Sequence, residues 1–290
     1  MPKTRARPRS LSLSSLVSLI IVIFPAWAFL PIRPVPAYHS RLTHLHATVA
    51  STGVNVLYSE RFLEHKARGY HPENPLRVSV PAQILKHTPG IHLKAPTTTQ
   101  DVALAAVLRV HDPNYVEEIR ALSARGGGNI DADTFVNGAT YEVCLLAATA
   151  WIDCARQTLL GDEDENKEEK EAGSLAAALV RAPIRRPSFA LTRPPGHHAG
   201  RSQAMGFCIF NFAVIAARYA LDKLGCQRVA ILDLDAHHGN GNEEAVRTEP
   251  SMCYASFHQQ DSFPMTGLDP SNHGPHGNLL NTPIPVSYTH

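Results

Sequence analysis

The stretch RVAILDLDAHHGNGN, residues 228 to 242, decides how this sequence is interpreted. It begins as a short β-rich apolar run, typical of a buried strand, and continues into a polar loop with two aspartates and two histidines. Because alternate residues of a strand point to one face, Asp233, Asp235 and His237 are predicted to lie together. Carboxylate and imidazole groups suit a divalent ion such as zinc, which takes three protein ligands in hydrolases. The stretch predicts a metal site; a capping turn would explain only one of its aspartates.

A second histidine pair follows another predicted strand. The segment SFALTRPPGHHAG, residues 188 to 200, is a short strand that leads into a proline–glycine loop with His197 and His198. Adjacent histidines can transfer protons near a metal-bound water when their hydrogen-bond partners set their protonation. A single histidine would more often be structural, whereas two pairs, each just beyond an apolar strand, indicate catalysis. Phe207, in GFCIFN, is a candidate pocket wall, although such a phenylalanine taken alone is more often a core residue.

Strands and helices alternate along the rest of the chain. VNVLYS (54–59) and SMCYASFHQ (251–259) are predicted strands, and residues 140–160 have the apolar spacing of a buried helix. This alternation predicts an α/β fold with a mainly parallel sheet flanked by helices, whose sites form at the carboxyl ends of strands. The acidic run at 161–173 is interpreted as a solvated surface insertion without a function.

Composition and charge exclude some classes of protein. The chain is 44% hydrophobic and 18% charged, which is typical of a globular protein. Its formal charge of +1 argues against direct nucleic-acid binding, which normally needs a clearly basic domain. The five cysteines contain no CxxC pair, and this odd number predicts a reducing compartment rather than a disulfide scaffold.

Residues 1 to about 50 have the composition of a targeting segment. A basic start, an apolar run at 11–24 and the small residues of PAWA follow the pattern of a secretory signal peptide. The apolar core is shorter than the roughly 20 residues of a spanning helix, so no stable membrane span is expected unless the leader is retained. The junction AWAFLP resembles the signal-plus-transit leader of algae with secondary plastids. We therefore expect delivery to a plastid, with secretion or a retained membrane anchor as alternatives, and a folded domain over residues 51–290.

Seven motifs occur in the order expected of histone deacetylases. They are HPENPLR, HDPNYV, IDADTF, RPPGHHA, GFCIFNF, DLDAHHGNG and ASFHQ…FPMTG. From about residue 54 to 270 the chain resembles the histone deacetylase family, in particular its class II and bacterial-type branch. The resemblance implies an arginase-like open α/β domain around a parallel sheet of eight strands. It also implies zinc-dependent hydrolysis of the acetyl amide of acetyl-lysine in a protein, or of a related amine such as an acetylated polyamine.

The resemblance assigns catalytic roles to four residues. His197 and His198 resemble the tandem active-site histidines of the family, with Asp233 as the partner of the first and Asn240 as the partner of the second. A carboxylate stabilises an imidazolium ion more than a neutral amide does. On this basis His198 is the better general base, and His197 is the more cationic electrostatic helper.

The same resemblance implies cation sites and a substrate tunnel. Asp235 and His237 resemble two of the three ligands of a single Zn²⁺ ion. A monovalent cation such as K⁺ would be held, largely through main-chain oxygens, by Asp233, Asp235, His237, Ser256 and Phe257. The tunnel for acetyl-lysine would have Phe207 and Phe263 as walls, Gly206 as floor and Asp131 as a carboxylate on its rim.

The sequence departs from the family near its C-terminus. The third zinc ligand, an aspartate, and the tyrosine that stabilises the oxyanion lie further downstream in the family. Tyr288 lacks the glycine-rich context of that tyrosine, and Asp261 and Asp269 lie too early to be the third ligand. We therefore expect an incomplete deacetylase, since loss of an oxyanion donor alone costs ~10² to 10³ in rate. Phe212 and Asn242 are smaller departures, at positions where the family often has Asn and Thr.

Two other functions stay open. An arginase-like dinuclear manganese hydrolase would favour further aspartates in its DAHxD-type motif, where this sequence has DAHHGNG. A non-catalytic module that binds acyl-lysine would follow from the missing ligand and tyrosine. A dinucleotide site at GNGN is excluded, because no GxGxxG opens a helix.

Overall fold

The computed structural model of the chain describes residues 18–23, 53–161 and 187–285. The strands are β1 (Ser18–Ile23), β2 (Val54–Leu57), β3 (Ile91–Lys94), β4 (Gly127–Asn129), β5 (Phe135–Asn137), β6 (Ser188–Ala190), β7 (Arg228–Asp233), β8 (Met252–Gln259) and β9 (Leu279–Ile284). The helices are α1 (Leu76–Lys86), α2 (Gln100–Val110), α3 (Pro113–Ala124), α4 (Thr140–Leu160), α5 (Phe212–Lys223) and α6 (Asn240–Arg247), with a 3-10 helix at Glu60–Glu64.

Parallel strands form the centre of the molecule. One sheet has the order β3-β2-β6 and the other the order β1-β7-β8-β9, while β4 and β5 pair as an antiparallel hairpin. Every strand pair within the two larger sheets is parallel. The predicted α/β class with a mainly parallel sheet is therefore confirmed. The parallel strands form two separate sheets, because no strand in the described part of the chain pairs with both β6 and β7.

Strand β1 lies in the segment that the sequence assigns to a leader. It pairs with β7 along its whole length, from Ser18 opposite Arg228 to Ile23 opposite Asp233. Its sequence SLIIVI is rich in β-branched residues, which favour extended backbone. Pairing in a sheet does not test the route of the chain in the cell, so the leader stays a prediction. The acidic run that follows Gly161 lies outside the described residues.

Helix α4 is the central element of the core. It covers the predicted residues 140–160, and twelve of its 21 residues are buried. Buried alanines on α4 and α5 allow the two helices to approach closely. Within the described ranges α4 alone has the length and apolarity of a membrane span, but its burial is that of a core helix.

The motif HDPNYV separates α2 from α3, as the sequence predicts. Pro113 occupies the first turn of α3, where its missing N–H is not needed. The Asp112 carboxylate caps this helix by accepting a hydrogen bond from the Asn114 N–H at 2.8 Å. Tyr115 then buries its ring and donates its hydroxyl to the Ile209 carbonyl at 2.6 Å. This contact joins α3 to the loop that precedes α5.

The carboxyl ends of β6 and β7 carry the two histidine loops. In β8 the buried residues alternate with more exposed ones, so Tyr254, Ser256 and His258 share the buried face. Asp233, the last residue of β7, lies opposite Ser256 in the parallel register. The sheet therefore places the polar residues of β7 and β8 side by side at one edge, as parallel α/β folds do.

Candidate active site

A buried ion pair anchors the loop that carries the first histidine pair. Arg193 is 1% exposed and Glu73 is fully buried. The guanidinium donates its Nε to Glu73 Oε1 at 2.9 Å and its Nη2 to Oε2 at 2.5 Å. Its Nη1 donates to the carbonyls of Phe62 and His65. This bidentate pair joins the motif HPENPLR to RPPGHHA, a link that was not predicted.

The rings of His197 and His198 lie side by side, with centroids 3.9 Å apart. His197 Nδ1 lies 3.1 Å from Asp233 Oδ2, and His198 Nδ1 lies 2.9 Å from Asn240 Oδ1. Both acceptors are side-chain oxygens, so each Nδ1 carries a proton and each Nε2 can accept one when the ring is neutral. The structure thus brings together the four residues that the sequence assigns to catalysis, in the predicted pairs.

The two rings differ in their affinity for a proton. Burial alone would lower the pKa of His197, but the Asp233 carboxylate outweighs burial and raises it. Burial, together with the neighbouring His197, lowers the pKa of His198 to about 3. At neutral pH His198 is therefore the neutral member of the pair, which is the protonation state that a general base requires.

Asp233 is fully buried, and its carboxylate accepts hydrogen bonds from other residues besides its histidine partner. Its Oδ2 also accepts hydrogen bonds from Asn242 Nδ2 at 3.1 Å and from the Tyr254 hydroxyl at 3.2 Å. Gly239 lies against this group, where an added Cβ would come within 2.3 Å of Asp233 Oδ2. Asn242, one of the smaller departures from the family, thus acts as a donor to the carboxylate. Tyr254 was not predicted, and only its place on the buried face of β8 indicates it.

Asp235 and His237, the predicted zinc ligands, are in direct contact. The His237 N–H donates to Asp235 Oδ1 at 2.9 Å, and His237 Nδ1 lies 3.2 Å from the same oxygen. Burial would raise the pKa of Asp235, but the hydrogen bonds from His237 and the positive charges of His197 and His237 together outweigh burial, so the pKa is lowered. No set of three His, Cys, Asp or Glu side chains suited to a metal occurs among the described residues. The donor set therefore fits zinc in part, with two of the three ligands that a catalytic site needs.

The residues predicted to hold a monovalent cation are also neighbours. Three of them lie in the turn 233–237, and Ser256 lies opposite Asp233 in the strand register. The Ser256 hydroxyl is hydrogen-bonded to His258 Nδ1 at 2.9 Å, and the Phe257 side chain is 41% exposed. Ser256 and Phe257 would therefore contribute their main-chain oxygens to a cation site, as the resemblance implies.

Phe263 and Gly206 enclose the histidine pair. The Phe263 ring centroid lies 5.1 Å from that of His198 and 6.0 Å from that of His237, both nearly perpendicular. Gly206 has a φ of +54°, and an added Cβ would lie 2.6 Å from His198 Cδ2 and 2.9 Å from Phe263 Cε1. Gly206 is therefore packed directly against both rings, and a side chain at this position would clash with them. Phe207, the second predicted wall, follows it directly with a φ of 70°.

Asp131, the predicted rim carboxylate, lies in an exposed turn. It accepts hydrogen bonds from the N–H groups of Asp133 at 3.0 Å and Thr134 at 2.6 Å. The Thr134 hydroxyl in turn accepts the Phe207 N–H at 3.1 Å. Asp131 is thus connected to Phe207 through Thr134, a buried residue that the sequence did not single out.

A cleft of about 600 Å³ opens beside Phe207. His71 separates the two, since its ring centroid lies 5.0 Å from that of Phe207 and its Nε2 donates to the Asp133 carbonyl. The cleft lies between the loop at 66–71 and residues 126–137.

Comparison with known proteins identifies the family of the chain. The family model described as histone deacetylase domain matches residues 71–290. The chain belongs to the histone deacetylase family. An uncharacterized protein of Synechocystis is 38% identical to this chain over 234 residues, which cover 80% of the chain and 69% of that protein. The histone deacetylase-like amidohydrolase of Pseudomonas aeruginosa is 32% identical over 193 residues, which cover 67% of the chain and 44% of that protein.

Solved structures of the family show the same fold. The HDA15 HD domain matches with a TM-score of 0.62 and 28% identity, over 80% of this chain and 62% of that one. An acetylpolyamine aminohydrolase from Burkholderia pseudomallei has a TM-score of 0.60 over 80% of this chain and 72% of that one, and its 22% identity shows the fold alone. The chain thus spans 44% of the Pseudomonas relative and 62% of the HDA15 domain.

Proposed function

We propose that the site hydrolyses the acetyl amide of acetyl-lysine, or of an acetylated polyamine, with the help of one zinc ion. Membership of the deacetylase family supports the reaction class, amide hydrolysis of an acetylated amine. The observation that carries the proposal is the histidine pair, in which one ring is hydrogen-bonded to a carboxylate and its neighbour to an amide.

The residues of the chain divide the chemistry between them. Asp235 and His237 would hold the zinc ion, which when bound would supply Lewis-acid polarisation of the acetyl carbonyl. His198, neutral and fixed by Asn240, accepts the proton of the attacking water at its Nε2. His197, whose pKa Asp233 raises, places positive charge beside the reacting group. The amine then leaves with a proton, and acetate is released.

The residues around the histidine pair favour an extended aliphatic amine as substrate. Gly206 and the Phe263 ring lie directly against His198, and we propose that they line the passage for the substrate's stem. Aromatic rings pack well on the methylene stem of a lysine or polyamine. The polar end of such a substrate that lies away from the acetyl group can stay in water. We propose that Phe207 and Asp131 extend this passage to the surface, where the rest of the substrate is bound.

The leader suggests where the substrate is met. We propose delivery to a plastid, where a non-histone protein or a small acetylated amine is the expected substrate. Histone deacetylase 14 of Arabidopsis thaliana is described as chloroplastic and is 33% identical to this chain over 196 residues. Imaging of a fluorescent protein fused to residues 1–60 tests the route, and retention in the endoplasmic reticulum would support the secretory alternative.

Metal content and turnover of the purified chain test the proposed activity. We expect about one zinc ion per chain, and hydrolysis of acetyl-lysine peptide or acetylpolyamine that a chelator abolishes. Asp235→Asn and His237→Asn are expected to lose zinc, whereas Asp269→Asn, in an exposed loop, serves as the matched control and retains it. Two manganese ions per chain would support the arginase-like alternative. Metal-free protein that binds acetyl-lysine without turnover would favour the non-catalytic module, which the two-ligand donor set also supports.

A further inference from the structure

Two buried histidines lie next to the site but take no part in the chemistry above. His238 and His258 are each 2% exposed, and their ring centroids are 4.8 Å apart. His238 follows the zinc-ligand candidate His237 in the chain, and His258 lies on β8. Buried imidazoles need hydrogen-bond partners at both nitrogens, so their partners indicate what they hold.

His258 bridges β8 and the loop 260–267. Its Nδ1 accepts the hydroxyl proton of Ser256 at 2.9 Å, and its Nε2 donates to the Gly267 carbonyl at 3.1 Å. A single neutral tautomer satisfies both hydrogen bonds. The imidazole therefore ties the far end of the loop to the strand from which the loop departs.

His238 holds the same end of the loop from the other side. Its Nδ1 is hydrogen-bonded to Thr266 Oγ1 at 2.8 Å, and its Nε2 donates to Glu243 Oε2 at 3.0 Å. Gly267 packs its main chain on the imidazole, where an added Cβ would come within 2.4 Å of His238 Cδ2. Glu243 is fixed in turn by Asn281, whose Nδ2 donates to Oε2 at 2.6 Å. The ring is thus fixed by α6 and β9, and it provides a rigid support for the loop.

The loop between these supports carries Phe263. At its start, the Gln260 N–H donates to the Ile284 carbonyl at 2.9 Å. Within it, Asp261 and Met265 have φ values of 54° and 63°, a conformation that non-glycine residues adopt only when their surroundings impose it. The Met265 N–H donates to the Ser262 carbonyl, which closes a turn around Phe263. At the far end of this strained turn, the Thr266 hydroxyl contacts His238 and the Gly267 carbonyl contacts His258.

We propose that His258 and the Thr266–His238 hydrogen bond are a positioning device for Phe263. The four residues His238, His258, Thr266 and Gly267, here called the loop anchor, hold loop 260–267 so that Phe263 stays against His198 and His237. The loop anchor thereby fixes the ring that the proposed function places against the substrate's aliphatic stem. The identity of that substrate rests on the proposed function, whereas the effect of the anchor on the loop does not.

Hydrogen exchange of the full chain tests the anchor without any substrate. Thr266→Val removes the hydroxyl and keeps the shape, and Thr266→Ser keeps the hydroxyl. Loss of one hydrogen bond is expected to speed exchange of the Met265 amide by about fivefold in Thr266→Val and to leave Thr266→Ser as in the wild type. The amide of Gln259, which donates to the Ala236 carbonyl, should not change. Thr282→Val makes the same substitution on β9 and serves as the control.

A second pair of variants tests His258. His258→Gln retains an amide donor for the Gly267 carbonyl, whereas His258→Leu removes it. Faster exchange in loop 260–267 is expected for His258→Leu and much less for His258→Gln. Equal exchange in the wild type, Thr266→Val and His258→Leu would overturn the proposal, and melting temperatures of all variants show whether any of them has lost the fold.

Substrate kinetics separate positioning from general stability. In Thr266→Val the KM for acetyl-lysine peptide is expected to rise about fivefold with kcat changed less than twofold, and Thr266→Ser should restore the wild-type KM. A fall in kcat alone would contradict a role of the loop anchor in positioning Phe263 for substrate binding. If neither wild type nor variants bind or hydrolyse the peptide while loop exchange still responds as expected, the loop anchor is supported and the proposed function is contradicted.

Discussion

His197 and His198 are adjacent in the chain, with ring centroids 3.9 Å apart, yet one is hydrogen-bonded to the carboxylate of Asp233 and the other to the amide of Asn240. Two neighbouring imidazoles cannot both hold a proton easily, because the charged rings repel each other. The different partners decide which ring is charged, since the pKa of His197 is raised and that of His198 is lowered. The difference between the partners therefore makes His197 the cation and His198 the base.

Removal of the carboxylate should reverse part of this assignment. In metal-free Asp233→Asn we expect the pKa of His197 to fall below its wild-type value, because only the smaller effect of the Asp235 carboxylate then offsets burial. Titration of the histidine resonances by NMR measures the change. Asp222→Asn, a surface carboxylate paired with Arg109, is the matched control and should leave the pKa of His197 unaltered. An unchanged pKa in Asp233→Asn would contradict the electrostatic role given to Asp233.

A methyl group at Gly206 should displace the rings packed around it. Gly206→Ala places a Cβ within 2.6 Å of His198 Cδ2, so the ring or the main chain must move. We expect binding of acetyl-lysine peptide, measured by calorimetry, to weaken at least about tenfold. Gly277→Ala is the control, because Gly277 also has a positive φ of +65° but has nothing within 4 Å of the added Cβ. Both variants should lose about 1 kcal/mol of unfolding free energy from backbone strain, Gly206→Ala should lose more because of its clash, and only Gly206→Ala should lose binding.

The buried pair of Arg193 and Glu73 should be important for stability when only one partner is removed. Glu73→Gln leaves the guanidinium, which is 1% exposed, without its counter-ion, and we expect the unfolding free energy to fall by about 3 to 5 kcal/mol. The double variant Glu73→Gln/Arg193→Met should recover part of this loss, since no uncompensated charge remains. Urea denaturation measures both. Glu117→Gln, which breaks an exposed pair with Arg120, should have no measurable effect.

His111 should make the fold sensitive to acid. It is fully buried, its Nε2 accepts the Asn211 N–H at 2.9 Å and its Nδ1 donates to the Arg201 carbonyl, so protonation would break an existing hydrogen bond. Burial lowers the pKa of His111 to about 4. The unfolded chain, with a pKa near 6.5, binds the proton first, so stability falls as the pH drops from about 6.5 towards 4.

Urea denaturation at pH 7 and pH 4.5 measures this contribution. The loss due to His111 is expected to be about 2 kcal/mol at pH 4.5, and His111→Gln should show a smaller difference between the two pH values by that amount. His65, whose pKa burial lowers to about 3, adds a loss of the same sign that both proteins share. His276→Gln, at an exposed position, is the control and should behave like the wild type. An equal pH dependence in His111→Gln would contradict this explanation.

Local sequence patterns predicted much of the fold and of the site. The helix at 140–160, the break at Pro113 and the strands that end in histidine loops all appear in the structure, because each depends on spacing and on residue type within one segment. The pairs His197–Asp233 and His198–Asn240 followed from the family resemblance. Short elements were missed, namely β3, the β4–β5 hairpin, β9 and α6, since three to eight residues with few apolar positions carry a weak signal.

The sequence by itself determined the α/β class, the family and the residues of the two histidine loops, because these depend on the order and identity of residues along the chain. Only the tertiary structure decided that Arg193 is paired with Glu73, that Tyr254 and Asn242 donate to Asp233, and that His238 and His258 support the loop of Phe263. These partners are separated by 9 to 120 residues in the chain. Their contacts depend on how sheets and loops pack in three dimensions, and burial makes each of them necessary, since a polar group removed from water must find a partner inside the protein.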